Sequence, residues 1–100
     1  MIVEFEAELW EWDARPGESW VFVSLPPEPS EEIHELTAGT RRGFGSVRVR
    51  AQIGTTAWRT SIFPGSDGAY VLPLKKAVRT ARRLSIGDRA TVTIELVDTP

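Results

Sequence analysis

The chain has 100 residues and no cysteine, and its formal net charge of −2 argues against strong nonspecific binding of nucleic acid. This length predicts one domain over residues 1–100 with a single core, and the lack of cysteine excludes disulfides and thiolate metal sites. Without a signal peptide or roughly 18 consecutive apolar residues, we expect a cytoplasmic protein that makes no membrane contact.

The N-terminal half predicts two strands and a short acidic helix. Apolar and acidic residues alternate over 2–9, which indicates a strand with one core face and one acidic face. Residues 10–17 are expected to turn the chain, and 19–25 to run back as a second strand that three prolines stop. Ser30 is then expected to cap a helix over 31–38, whose early glutamates suit the positive end of the helix dipole.

The middle of the chain predicts a β-hairpin. Residues 47–53 and 56–63 alternate between apolar and polar, and Gly54-Thr55 supplies a two-residue turn between them. This register puts Arg50 directly opposite Arg59. Like charges in that position are unfavourable in a sheet, so we expect either a nearby glutamate or a bound anion beside them.

The C-terminal part predicts a short strand, a helix and a final strand. The strand covers 69–72, Pro73 starts a helix that extends to residue 84, and 90–97 alternate as the last strand. One face of this helix carries five bases with no acid among them: Lys75, Lys76, Arg79, Arg82 and Arg83. Because such like charges repel within a helix, we expect the acidic N-terminal half or an outside polyanion to lie against them.

Together these elements predict a mainly β fold, a small, partly open six-stranded β-barrel with one short acidic helix and one basic amphipathic helix. Residues 1–40 hold ten acids against one base, and 41–100 hold eleven bases against four acids. The two halves can pair on folding, or leave a basic surface for nucleic acid or anionic lipid. Exposed barrel edges also favour pairing, so a homodimer is a further expectation.

The order of motifs resembles a bacterial domain family of unknown function. The resemblance rests on SWVFVSLP (19–26), GFGSVRVRAQIG (43–54), TAWRTSIFP (56–64), GAYVLPLKKAVR (68–79) and IGDRATVTI (86–94). It implies a small, partly open β-barrel that stands alone or is joined to a segment related to bacteriocin-protection proteins, and it implies no activity. The chain departs from the pattern at Gly54-Thr55, where relatives often have two glycines, and at Arg82-Arg83, where a glycine commonly closes the helix.

The residues do not assemble a catalytic constellation. His34 has no second histidine or cysteine near it, so we interpret it as a surface residue. Ser61 follows Arg59 closely but has no evident base. We therefore expect no catalytic residue, no metal and no cofactor, and the residues favour a non-enzymatic function. An enzyme would need a base such as Glu6 or Glu8 in a desolvated site.

Four tryptophans are many for this length. Trp20 and Trp58 fall within predicted strands, while Trp10 and Trp12 flank a predicted turn. Core packing is the favoured interpretation for all of them, because a small barrel needs large rings to fill it. The alternative is that the pair at the turn is exposed and contacts a ligand, a partner or a base.

Two functions fit this pattern. The favoured one is a binding module for a small anion or an acidic protein segment. Its cations are Arg48, Arg50 and Arg59, with Arg79 as a further candidate, and its apolar contact is Trp58 or, alternatively, Trp12. The alternative is a nucleic-acid-binding protein that uses the basic helix over 73–84. That surface would consist of Lys75, Lys76, Arg79, Arg82 and Arg83.

Overall fold

The computed structural model describes residues 1–15, 18–39, 41 and 45–97. Their elements in chain order are β1 (Ile2–Glu8), β2 (Trp10–Arg15), β3 (Glu18–Ser24), α1 (Pro27–Leu36), β4 (Val47–Ile53), β5 (Thr56–Pro64), β6 (Tyr70–Pro73), α2 (Lys76–Arg82) and β7 (Arg89–Leu96). The strands form one antiparallel sheet in the order β1-β7-β4-β5-β6-β3-β2, which curls into a half-barrel. The predicted mainly β, partly open barrel architecture is confirmed.

The seventh strand is β2, in the stretch that the sequence predicted as a turn. That prediction was wrong because aromatic pairing extends the ladder: Trp10 lies opposite Phe22 and Trp12 lies opposite Trp20 on β3. Such cross-strand aromatic pairs stabilise a sheet. The connection between β2 and β3 falls on residues 16–17, which lie outside the described residues.

Leu9 is the corner at which the chain passes from one edge of the sheet to the other. Its side chain is fully buried. Its N–H donates to the Asp88 carbonyl at 2.9 Å, and its carbonyl accepts from the Gly87 N–H at 2.8 Å. Before this residue β1 pairs with β7, and after it β2 pairs with β3. Because β1 and β2 are the two edge strands, this near-continuous segment draws the edges together and curls the sheet.

The hairpin of β4 and β5 has the predicted register. Ile53 pairs with Thr56, and Arg50 pairs with Arg59. Gly54 has a φ of 59°, the left-handed conformation that the tight turn requires and that glycine adopts without strain. On its other side Arg50 has Glu95 of β7 as its Cα partner, which is the glutamate expected close to the two arginines.

Helix α1 begins earlier than predicted. Pro27 occupies its first turn, where a missing N–H costs nothing because that donor would be unpaired. Ser30 is therefore inside the helix rather than at its cap. Its buried Oγ accepts a hydrogen bond of 3.1 Å from the N–H of Tyr70, which ties α1 to β6.

Helix α2 begins later than predicted, at Lys76. Pro73 ends β6 opposite Phe22, and the N–H of Leu74 donates to the Val21 carbonyl at 2.9 Å. The backbone thus stays bonded to β3 until Leu74, and a helix can start only after that. Of the apolar residues in and just before α2, Leu74 and Val78 are buried, whereas the two alanines at 77 and 81 are exposed.

The hydrophobic core fills the inner face of the half-barrel. It contains alternate residues of the strands, Ile33 from α1 and Val78 from α2. Strand β4 shows the division: Val47, Val49 and Ala51 are buried, while the arginines between them are exposed. The polar side chains of β4 therefore lie on the outer face of the sheet. Neither helix in the described part of the chain is long and apolar enough to cross a bilayer.

Candidate functional site

The outer face of the sheet contains a cavity of about 460 Å³ between β3, β4, β5 and the segment that leads into α2. The side chains that give it chemical character are three cations, two aromatic rings and a hydroxyl: Arg48, Arg59, Lys75, Trp20, Phe63 and Ser61. All of them lie on the face opposite the core, as the alternation along β4 and β5 requires.

Strand register brings the three cations together. Arg48 lies opposite Ser61, and Arg59 is two residues before Ser61 on the same face of β5. The β3–β6 pairing extends through the hydrogen bond from the Leu74 N–H to the Val21 carbonyl, which places Lys75 opposite Trp20. Both residues line the same cavity as Arg59. Three strands and one connecting segment therefore supply one cationic surface.

The cavity is electropositive. Among the described residues that line it there is no carboxylate to offset Arg48, Arg59 and Lys75. A concave surface with charges of one sign focuses the electrostatic potential and raises the local concentration of counter-ions. Guanidinium groups also present several donors in a planar fork that matches a carboxylate or a phosphate. The cavity is therefore suited to an anion.

Two aromatic rings border the cations. The Trp20 side chain is 51 % exposed and that of Phe63 37 % exposed. Trp20 stacks on Phe22, with ring centroids 6.2 Å apart and 11° between the planes. A ring that packs against a neighbouring ring and remains half exposed to solvent offers a flat apolar surface to a ligand.

The residues predicted for an anion site fall on both faces of the sheet. Arg48 and Arg59 line the cavity, and Arg50 lies on the same face beside Arg59. Trp58 is on the other face, partly buried against the core, and its Nε1 is buried without a hydrogen-bond partner among the described residues. The aromatic neighbour of these arginines is instead Trp20.

The sequence did not lead us to assign Trp20, Phe63 or Lys75 to this site: Trp20 was interpreted as a core residue and Lys75 was assigned to the basic helix. Phe63 shares the outer face of β5 with Arg59, so the alternation in β5 held the signal for it. That Trp20 and Lys75 meet Arg48 and Arg59 depends on the strand order, in which β6 and β3 follow β5. The pattern of residues along the sequence does not reveal that strand order.

The five bases predicted on one helix face are divided by the structure. The Nε of Arg79 donates to the Leu74 carbonyl at 3.1 Å. The Nε of Arg82 is buried with no partner in the described part of the chain, and its guanidinium lies against Gly54. Lys75, Lys76 and Arg83 are exposed. Two of the five cations are therefore turned towards the protein.

Groups considered for catalysis are exposed and dispersed. His34 is exposed, as predicted, with its Nδ1 2.7 Å from the Nη1 of Arg41. Glu6 is exposed and pairs with Arg89 at 2.9 Å, so it is not the desolvated base that an enzyme would need. Within the ranges that the structure describes, no three His, Cys, Asp or Glu side chains are placed to hold a metal ion.

A family model described as "Domain of unknown function (DUF1905)" matches residues 5–94. The match covers most of the chain, and the chain belongs to this family. No curated protein matches the sequence.

Proposed function

We propose that this DUF1905 domain is a non-enzymatic binding module whose outer cavity receives a small anionic ligand or an acidic protein segment. One observation supports the proposal above all others. Arg48, Arg59 and Lys75 converge on a single cavity of about 460 Å³ with no carboxylate among its described lining residues. That volume is within the usual range of roughly 300–1,000 Å³ for ligand sites.

The proposed mechanism is charge-assisted hydrogen bonding. A carboxylate or phosphate would accept from the guanidinium groups of Arg48 and Arg59 and from the ammonium of Lys75, and the Ser61 hydroxyl is available as a neutral donor. The proposed setting is the cytoplasm, and the mechanism needs no cofactor.

The test compares two double variants that remove the same charge. Arg48→Gln with Arg59→Gln takes two cations from the cavity. Lys76→Gln with Arg83→Gln takes two exposed cations from α2 and from its C-terminal cap, neither of which lines the cavity. Isothermal titration calorimetry with pyrophosphate, citrate and a hexaglutamate peptide then measures affinity in both variants and in the unmodified chain.

We expect at least one of these anions to bind the unmodified chain. The cavity variant should bind it at least about tenfold more weakly, because each hydrogen bond to a charged group contributes roughly 1.5–3 kcal/mol. The α2 variant should bind within about twofold of the unmodified chain. Absence of binding by all three probes, or equal losses in the two variants, would overturn the proposal. A selective loss in the α2 variant would favour the alternative nucleic-acid surface on that helix.

A further inference from the structure

Four aromatic side chains share the outer face of the hairpin formed by β2 and β3. Trp10 lies opposite Phe22, and Trp12 lies opposite Trp20. Side chains of directly opposed residues project to the same side of a sheet. Val21 and Val23 are buried on the core side of β3, so the aromatic side chains are on the outside.

These four rings form a supported platform. Trp10 and Phe22 are partly buried, with ring centroids 5.1 Å apart, and the Trp10 Nε1–H donates to the Ser24 Oγ at 3.0 Å. Trp12 and Trp20 are 53 % and 51 % exposed. Large aromatic rings are usually buried in monomeric proteins, and contiguous exposed apolar area marks binding sites.

The platform continues into the cationic cavity. When the pairing of β6 with β3 and with β5 is extended past Pro73 to Lys75, it gives one row of outward residues from β2 to β4: Trp12, Trp20, Lys75, Arg59 and Arg50. The row thus changes from two indoles to three cations over four strand spacings, or roughly 19 Å. Glu95 of β7 follows Arg50 and marks the end of the cationic part.

From this row and from Arg48, which lines the adjoining cavity, we propose that the outer face binds single-stranded nucleic acid, with bases stacked on Trp12 and Trp20 and backbone phosphates bound by Lys75, Arg59 and Arg48. The inference rests on the proposed function, because the phosphates occupy the same anion cavity. Proteins that bind single strands combine a positively charged groove with aromatic side chains, and each stacked base contributes roughly 1–3 kcal/mol.

The chemistry of the row distinguishes a single strand from other anionic ligands. A carboxylate or a free phosphate uses the cations and leaves both indoles exposed. A duplex presents phosphates but keeps its base faces stacked inside, so it cannot use the indoles. A ligand that fills the row from end to end must present flat rings to the indoles and anionic groups to the cations over a length of roughly 19 Å, as a single strand of several nucleotides can.

Fluorescence anisotropy with a labelled oligothymidylate or oligouridylate of about 12 nucleotides tests the proposal. The variants are Trp12→Leu and Trp20→Leu, which keep apolar area but remove the ring, and Trp12→Phe and Trp20→Phe, which keep a ring. We expect each leucine variant to lose about 5- to 100-fold in affinity, and the phenylalanine variants to recover most of it. A duplex of the same length should bind more weakly than either single strand.

Salt dependence tests the role of the cations. The slope of log affinity against log salt should fall by about 1.4 in the Arg48→Gln, Arg59→Gln double variant, since each phosphate contact to a single strand contributes about 0.7. The slope should be unchanged in the Lys76→Gln, Arg83→Gln variant. Thermal unfolding of each variant verifies that it is folded.

Three results would overturn this inference. They are the absence of binding to both oligonucleotides, leucine variants that bind as tightly as the unmodified chain, and duplex binding equal to that of the single strands. If oligonucleotides fail while pyrophosphate or citrate still binds through Arg48 and Arg59, this inference fails and the proposed anion site stands. If no anion of any kind binds, both fail.

Discussion

Replacing Ser30 by alanine should destabilise the fold although it removes a single oxygen atom. Ser30 is 2 % exposed, and its Oγ accepts the Tyr70 N–H across 40 positions of sequence. The Gly65 N–H donates to the Ala69 carbonyl, so the antiparallel alternation turns the Tyr70 N–H away from β5 and towards α1. The serine hydroxyl is the acceptor that satisfies this buried donor.

The expected loss follows from leaving that donor unpaired. A buried N–H without a partner costs roughly 1–3 kcal/mol, and alanine recovers a few tenths through its higher helix propensity. We therefore expect Ser30→Ala to lower the free energy of unfolding by about 1–2 kcal/mol. For a domain of this size, each kcal/mol lowers the melting temperature by about 4–8 °C.

Thr37→Val is the matched control, because it also removes a buried hydroxyl from the same helical segment. The Thr37 Oγ1 donates to the Ile33 carbonyl at 2.7 Å, but that carbonyl also accepts the Thr37 N–H at 3.0 Å. The variant leaves no buried group unpaired, so it should cost less than about 1 kcal/mol. Urea denaturation followed by tryptophan fluorescence measures the free energy of unfolding of both variants, and the slope of that free energy against urea concentration should equal that of the unmodified chain. Equal losses, or a Ser30→Ala variant as stable as the unmodified chain, would refute this account of how α1 is attached.

The remaining predictions concern turns and a surface ion pair. Arg83 caps α2 in the left-handed conformation with a φ of 54°, so Arg83→Gly should stabilise the fold by about 0.5–1 kcal/mol while Arg83→Ala does not, as measured by urea denaturation. Gly54→Ala should lower the free energy of unfolding by at least about 1 kcal/mol, because φ at this position is 59° and the added Cβ would overlap the Arg82 guanidinium. The double variant with Arg82→Ala should regain only the part of this loss that comes from the overlap. Full recovery of stability in the double variant would contradict a contribution from backbone strain. Glu6→Gln should change the melting temperature little, since its pair with Arg89 is exposed and contributes less than about 1 kcal/mol.

Local patterns predicted the register of the hairpin of β4 and β5 to the residue. Strict alternation and a glycine turn leave one register that buries Val47, Val49 and Ala51 together, and the opposed arginines follow from it. The same reasoning identified Arg48 and Arg59, two of the three cations in the cavity. Where residues that are close in sequence are also close in space, the alternation of apolar and polar residues was sufficient to predict the structure.

Local patterns failed where a distant strand decides the structure. The β2 segment contains charged residues and leads to Pro-Gly, which is typical of a turn, yet pairing of its tryptophans with β3 makes it a strand. Pro73 resembles a helix start, but β3 holds the following Leu74 in the sheet. Lys75 and Trp20 meet Arg59 only through the order β3-β6-β5, so their part in the candidate site could not be predicted from local patterns.

A nitrogen–proton correlation NMR titration of the unmodified chain with pyrophosphate shows whether the cavity binds an anion. We expect shifts of the side-chain Nε–H signals of Arg48 and Arg59 and of the Trp20 indole, which line the cavity. The Trp58 indole, on the opposite face of the sheet with its Nε1 buried, is an internal control and should not move. Unchanged arginine signals, or shifts confined to α2 around Lys76 and Arg83, would contradict an anion site in this cavity.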